Sequence, residues 1–109
     1  MQRLTTRAQF QAVLAAGIAA RTAHFALHRL PDPQANIGAV LPKRWAKRAV
    51  TRNTIKRQIY SVSATSKLPA AAYVVRLRSS FEGFRSATSD ALRRAVRAEL
   101  LQLFAQAAA

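Results

Sequence analysis

Lys43-Arg-Trp-Ala-Lys-Arg-Ala-Val-Thr-Arg-Asn-Thr-Ile-Lys-Arg57 holds seven Lys or Arg among its fifteen residues and no acid. Positive charge at that density requires a polyanionic partner. The second half also has helical order. At about 100° per residue, Arg52, Asn53, Lys56 and Arg57 share one face, while Ile55, Ile59 and Val62 form an apolar stripe on another. The stretch predicts a loop followed by a helix reaching Ser61 or Ser63, docked on one side and open on the other. Tyr60 falls on the charged face, placed either to stack on a base or sugar or to pack on the rim of a sheet. Trp45 has two open readings: a stacking platform, or a hydrophobic lid over the helix start.

Strands flank this helix. Ile37 to Leu41 precedes it and Ala71 to Arg78 follows, with Tyr73, Val75 and Leu77 alternating against Ala72, Val74 and Arg76. A strand, a helix and a strand in that order imply a crossover between parallel strands. Gly38 within the first of them suggests a bulge or a close backbone approach. Upstream, residues 23 to 30 read as another strand, with Phe25 and Leu27 on one face and His24, Ala26 and His28 on the other. The Pro31-Asp-Pro-Gln-Ala-Asn36 link is turn chemistry, and its shortness makes this strand antiparallel to the next. Ser66 to Pro69 is a loop.

At the N-terminal end, Thr6 and Gln9 have capping-box spacing and Gly17 supplies a left-handed stop, so a helix of about ten residues is expected between them. Periodicity assigns its Phe10 and Leu14 to the core. At the other end, Ser79 to Arg85 reads as a loop. A last helix runs from near Ser86 or Ser89 to about Ala107, with Leu92, Val96, Leu100 and Leu103 as its stripe and Arg93, Arg94 and Arg97 as a solvated flank. The result is an α+β fold, a small two-layer sandwich in a single domain over residues 1–109.

Composition narrows the function. Eighteen Lys and Arg oppose four Asp and Glu, a net charge of +14 whose self-repulsion is relieved by binding a polyanion. Half of the residues are hydrophobic, which separates the chain from disordered basic tails. No cysteine is present, so disulfides and thiolate metal sites are excluded, and a cytoplasmic setting is the default expectation. No apolar run approaches the ~20 residues of a membrane span. His24 and His28 lack a nearby Cys, Asp or Glu to complete a metal shell and read as ordinary sheet-face histidines. The scattered acids offer no carboxylate pair, and no Gly-rich phosphate loop occurs, so no catalytic residue is assigned.

Lys43-Arg44 followed by Ala49-Val-Thr-Arg-Asn-Thr-Ile-Lys-Arg57 resembles the signature of the bacterial ribonuclease P protein component, K-[KR] and then a helix carrying R-N-R-[IL]-K-R. Leu4, Phe10, Gly17, Phe25, Ile37-Gly38, Leu68-Pro69 and Tyr73-Val-Val75 fall in the same order, so the likeness covers about residues 3 to 104. It implies an αβββαβα fold with a left-handed crossover around the motif helix, the extra strand coming from a split of the hairpin. It also implies a protein subunit of a ribozyme whose RNA performs the cleavage with Mg²⁺. The implied partners are ribonuclease P RNA and precursor tRNA, with no membrane and no obligate protein partner. By position, Arg52, Asn53, Lys56 and Arg57, helped by Lys47 and Arg48, would contact the catalytic RNA. Phe10, Leu14, His28, Lys43, Arg44 and Arg78 would line a cleft for the single-stranded 5′ leader, making Phe10 a stacking surface.

Several positions depart from the pattern. Thr54 stands where the motif has its third basic residue, Leu14 where an aromatic is common, and Asn36 where Arg is frequent. Ser61 and Val62 replace Arg-Glu, and Ala72 replaces Asp. From the residues alone, two other classes stay open: a ribosomal or other structural RNA-binding protein with no role in cleavage, and a basic protein coating DNA or a membrane surface.

Overall fold

The structure is a computed structural model that describes residues 1–82 and 90–108. The elements are β1 (Gln2–Arg3), α1 (Arg7–Ala15), β2 (Ile18–Arg21), β3 (Phe25–Pro31), β4 (Asn36–Val40), α2 (Ala49–Thr65), β5 (Ala71–Leu77) and α3 (Asp90–Ala108). The expected start of α3 near Ser86 or Ser89, and the Gly83 and Phe84 part of the loop before it, lie outside the described residues.

The five strands form one sheet in the order β1-β4-β5-β3-β2. β4 and β5 are adjacent and parallel, as the crossover around α2 requires. β3 runs antiparallel to β5, and hence opposite to β4, as the short Pro31–Asn36 link demands. The two are not hydrogen-bonded neighbours, however, because β5 inserts between them. Asp32 accepts the Gln34 N–H at 2.8 Å in the connecting turn. Three strands are legible in the sequence and five form; the additional ones are β1 and β2, both ahead of β3, and not a split of the β3–β4 segment as expected. β2 pairs antiparallel with β3, and β1 pairs parallel with β4 at the far edge.

The alternation in β5 divides the core. Tyr73, Val75 and Leu77 join Phe25, Leu27 and Ile37 against Ile55, Ile59 and Val62 of α2 and the Leu92, Val96, Leu100 and Leu103 stripe of α3. Ala72 and Val74 point the other way, to a smaller cluster with Leu4 and Val13 that is edged by Phe10, Leu14, Leu30 and Val40. The main sandwich is therefore the sheet and the α2–α3 layer, and α1 crosses the opposite face. Both faces of β5 are buried for this reason, and burial of its apolar side chains supplies roughly 1.5–3 kcal/mol for each large residue.

α1 begins in the predicted capping box: Thr6 Oγ1 accepts the Gln9 N–H at 3.2 Å, and Gln9 Oε1 accepts the N–H groups of Thr5 and Thr6 at 3.0 and 3.1 Å. It ends at Gly17, whose φ of +92° is the left-handed conformation a side chain would disfavour. Gly38 answers to the close-approach expectation. A Cβ there would lie 2.6 Å from Phe10 Cζ and 3.1 Å from Leu4 Cδ1, so the Phe10 ring rests directly on the β4 backbone.

One facing assignment needs correction. His24 lies just before β3 and leaves the face it was expected to share with Ala26 and His28. Glu99 of α3 draws it over, accepting the His24 N–H and meeting His24 Nδ1, each at 2.7 Å, and accepting the Thr22 hydroxyl at 2.6 Å. The His24 ring stacks on Phe81 with centroids 4.0 Å apart. Among the described residues no helix is long and apolar enough to cross a membrane.

Candidate nucleic-acid interface

α2 presents its charge as the sequence predicts. Asn53, Lys56 and Arg57 are exposed, while Ile55, Ile59 and Val62 are buried beneath them. β1 brings Arg3 to the same place, with its guanidinium 3.9 Å above the Tyr60 ring centroid. Arg3, Asn53, Lys56, Arg57, Tyr60 and Ser61 line a groove of about 540 Å³. Tyr60 thus meets a cation from its own chain. Arg3 lines this candidate site although the sequence did not point to it, because a two-residue edge strand has no period to detect and only the pairing of Arg3 with Ile37 reveals its position.

Arg52 behaves differently from its neighbours. One of its terminal nitrogens donates to the carbonyls of Ala46 at 2.8 Å and Lys47 at 3.0 Å. It ties the preceding loop to the first turn of α2. The Trp45 and Ala46 N–H groups donate to the Pro42 carbonyl, and Ala46 is buried in the main core. Trp45 packs against that core as the lid, and the Arg44 guanidinium lies 5.2 Å from its ring centroid. Lys43, Arg44, Lys47 and Arg48 are exposed on this fixed turn. Thr54 is buried, and its hydroxyl donates to the Val50 carbonyl at 3.0 Å. The lost basic residue at this position therefore leaves the exposed Asn53, Lys56 and Arg57 untouched.

A second candidate surface lies on the α1 side of the sheet. Phe10 and Leu14 are half-buried there and pack on Val13, Val74 and Leu4 while keeping part of their surface outside. Phe10 thus packs on the smaller core cluster, as periodicity expects, with part of its ring left outside. His28, only 6% exposed, sits beneath the C-terminal end of α1 and accepts the Arg76 Nε–H at its Nε2, 3.2 Å away. Burial first, and then the Arg76 guanidinium, hold His28 below its ordinary value of 6.5, while the Leu14 and Gly17 carbonyls work the other way. This environment favours the neutral ring. Its Nδ1 has no hydrogen-bond partner among the described residues.

Arg78 extends from the end of β5 and donates to the carbonyls of Thr22 at 2.9 Å and Ala23 at 3.1 Å. Because β4 and β5 are parallel with Val40 opposite Arg76, Lys43 and Arg44 leave β4 at the end of the sheet where Arg78 lies. Of the six residues the leader-cleft reading names, Phe10, Leu14 and His28 gather under or on α1, and Lys43, Arg44 and Arg78 gather at that end. Among the described residues no group of three or more His, Cys, Asp or Glu side chains stands together to hold a metal ion.

A family model described as Ribonuclease P matches residues 1–107. The chain belongs to the ribonuclease P protein family. It is 41% identical over 107 residues to the ribonuclease P protein component of Bordetella parapertussis, covering 90% of this chain and 85% of that protein. It is 37% identical over 106 residues to that of Ralstonia pickettii, covering 94% and 76%. Among solved structures, the Staphylococcus aureus RNase P protein superposes with a TM-score of 0.76 at 19% identity, covering 100% of this chain and 99% of that one. The Thermotoga maritima RNase P protein gives 0.70 at 21%, covering 95% and 96%. These likenesses bear out the mixed α+β family fold, with its three helices and five-stranded sheet.

Proposed function

We propose that this ribonuclease P protein binds the catalytic RNA through α2 and the 5′ leader of precursor tRNA through the α1 side of the sheet, promoting removal of the leader and maturation of the tRNA 5′ end. The observation that carries this reading is the separation of two basic surfaces on one small domain. Asn53, Lys56 and Arg57 with Arg3 line a polar, basic groove suited to the phosphates of a folded RNA. Phe10 and Leu14 beside Arg76, with Lys43, Arg44 and Arg78 beyond, combine apolar area with cations, the composition that single-stranded RNA needs for stacking and backbone contact.

The protein's contribution is electrostatic and positional. It places positive charge where two polyanions, ribozyme and substrate, must meet, and magnesium in this reading belongs to the RNA subunit. The chemistry is the RNA's, and no side chain of this chain is assigned a proton or an electron pair. Cleavage of a precursor tRNA by a bacterial ribonuclease P RNA at limiting magnesium, with and without this protein, tests the proposal. A rate gain is expected that is larger for a substrate with a leader than for one whose leader is cut to a single nucleotide. No gain sinks the reading, and equal affinity for mature and precursor tRNA would favour a structural RNA-binding protein instead.

A further inference from the structure

Strand register places Arg21, Ala26, Arg76 and Val40 in one row across β2, β3, β5 and β4. The adjacent positions Ala20, Leu27 and Val75 belong to the core under α2 and α3, so this row faces the α1 side. The next row is Ile18, His28, Val74 and Gly38, which α1 crosses with Phe10 seated on Gly38 and with its C-terminal carbonyls facing His28. The Arg21–Arg76 row thus runs alongside α1, with only the Ala26 methyl between the two arginines. Their strands lie two spacings, about 10 Å, apart.

Arg76 is also held in place. His28 Nε2 takes its Nε–H at 3.2 Å, and among the described residues neither terminal nitrogen has a hydrogen-bond partner. Arg78 differs, because one of its terminal nitrogens already serves Thr22 and Ala23. A guanidinium fixed at Nε and open at its fork is preorganised for the bidentate geometry of a phosphate. His28 accepts that bond only as the neutral ring with its proton on Nδ1, and its burial at 6% exposure favours the neutral form.

We infer that Arg76 and Arg21 form a phosphate-binding shelf for single-stranded RNA alongside α1, and that His28 is a positioning residue that aims Arg76 at it. The inference rests on the reading of this face as the leader surface and adds to it two cations that the family motif does not supply. The shelf recognises the sugar-phosphate backbone and not the base sequence, while Phe10 next to it offers the apolar contact.

The test uses the whole protein assembled with a bacterial ribonuclease P RNA, measuring affinity for a precursor tRNA with a full leader and for the same tRNA with a one-nucleotide leader, across a salt series. Arg76→Ala and Arg21→Ala are each expected to weaken the full-leader substrate about tenfold. Each also reduces the slope of log affinity against log salt by about 0.7, and both leave the short-leader substrate and the RNA subunit bound as before. His28→Leu should reproduce the Arg76 effect and His28→Gln, which keeps an acceptor, should restore it. Arg21 is exposed, so its variant keeps the core intact even if an Arg76 variant folds poorly. Equal losses for both substrates, or no loss in either arginine variant, overturn the shelf. If Phe10→Ala still weakens the full-leader substrate selectively in that case, the leader surface stands and only the shelf falls. A wild-type complex indifferent to the leader removes both.

Discussion

Gly38→Ala tests whether the Phe10 ring truly rests on the sheet. The added Cβ would meet Phe10 Cζ at 2.6 Å and Leu4 Cδ1 at 3.1 Å, inside the ~3.5–4.0 Å of an ordinary carbon contact. Phe10 sits mid-way along α1, so the ring escapes only by swinging outward or by lifting the helix. Overpacking of this kind costs about 1–3 kcal/mol, and replacing glycine returns roughly 0.4–1 kcal/mol through the unfolded chain. The net loss is about 1–2 kcal/mol, or on the order of 5–15 °C in Tm for a domain of this size. Urea denaturation followed by circular dichroism measures it in both the wild-type and the Phe10→Ala background. With the ring removed, Gly38→Ala should cost nothing or stabilise slightly, giving a coupling of at least ~1 kcal/mol between the two positions. Equal costs in both backgrounds would refute the contact. Since the displaced ring belongs to the proposed leader surface, Gly38→Ala should also reduce the preference for leader-bearing substrate without weakening the RNA subunit's hold on α2.

His28 predicts a pH dependence. Its value in the fold lies below the 6.5 it has when unfolded, so the stability it contributes is complete above 6.5 and is lost as the pH falls below that point. The urea midpoint should therefore drop on acidification toward pH ~5, and less so in His28→Phe; identical profiles would exclude His28 as the cause. Arg52→Ala removes two hydrogen bonds from a charged donor to the Ala46 and Lys47 carbonyls, at a cost of about 1–2 kcal/mol. Arg52→Lys keeps the charge without the planar fork. Both variants should speed amide exchange across residues 45 to 48, and restoration of RNA affinity by Lys would mean that charge alone matters. Glu99→Ala leaves the Thr22 hydroxyl and the His24 N–H without their acceptor and should cost about 2–3 kcal/mol in thermal or urea unfolding. A loss below about 0.5 kcal/mol, the scatter of ordinary surface changes, would assign the turn to Arg78 instead.

Local signals were legible because local chemistry decides them. The Thr6–Gln9 box, the Gly17 stop, the α2 stripe and the β5 alternation each depend on residues within a few positions of one another. What the sequence concealed is non-local. β2 is Ile-Ala-Ala-Arg, poor in β-branched residues, and becomes a strand because β3 offers it an edge. β5 enters between β3 and β4, which no link length reveals. Arg76 stood in the sequence only as one position of the β5 alternation, and the residue that fixes its guanidinium is His28, 48 positions earlier. The candidate surfaces divide in the same way: the α2 face was periodic and visible, while Arg3 and Arg76 reached their places by sheet pairing.

The basic stretch from Lys43 to Arg57 also joins the two surfaces mechanically. Its first half leaves β4 and is closed by the Pro42 carbonyl, by burial of Ala46 and by the Arg52 clamp, contacts within the chain that hold the turn carrying Lys43, Arg44, Lys47 and Arg48. Flexible cations would have to be ordered on binding, at about 0.5–1.5 kcal/mol for each long side chain and more for the backbone. A turn already fixed by folding confines that cost to the side-chain tips. It also fixes the spacing between Lys43 and Arg44 at the sheet end and Asn53, Lys56 and Arg57 on α2. In the proposed function, an RNA seated on α2 therefore determines where the leader surface stands relative to the ribozyme. Arg52, which the family resemblance implied as one contact to the catalytic RNA among several, is one of the groups that hold this distance, together with the Pro42 carbonyl and buried Ala46.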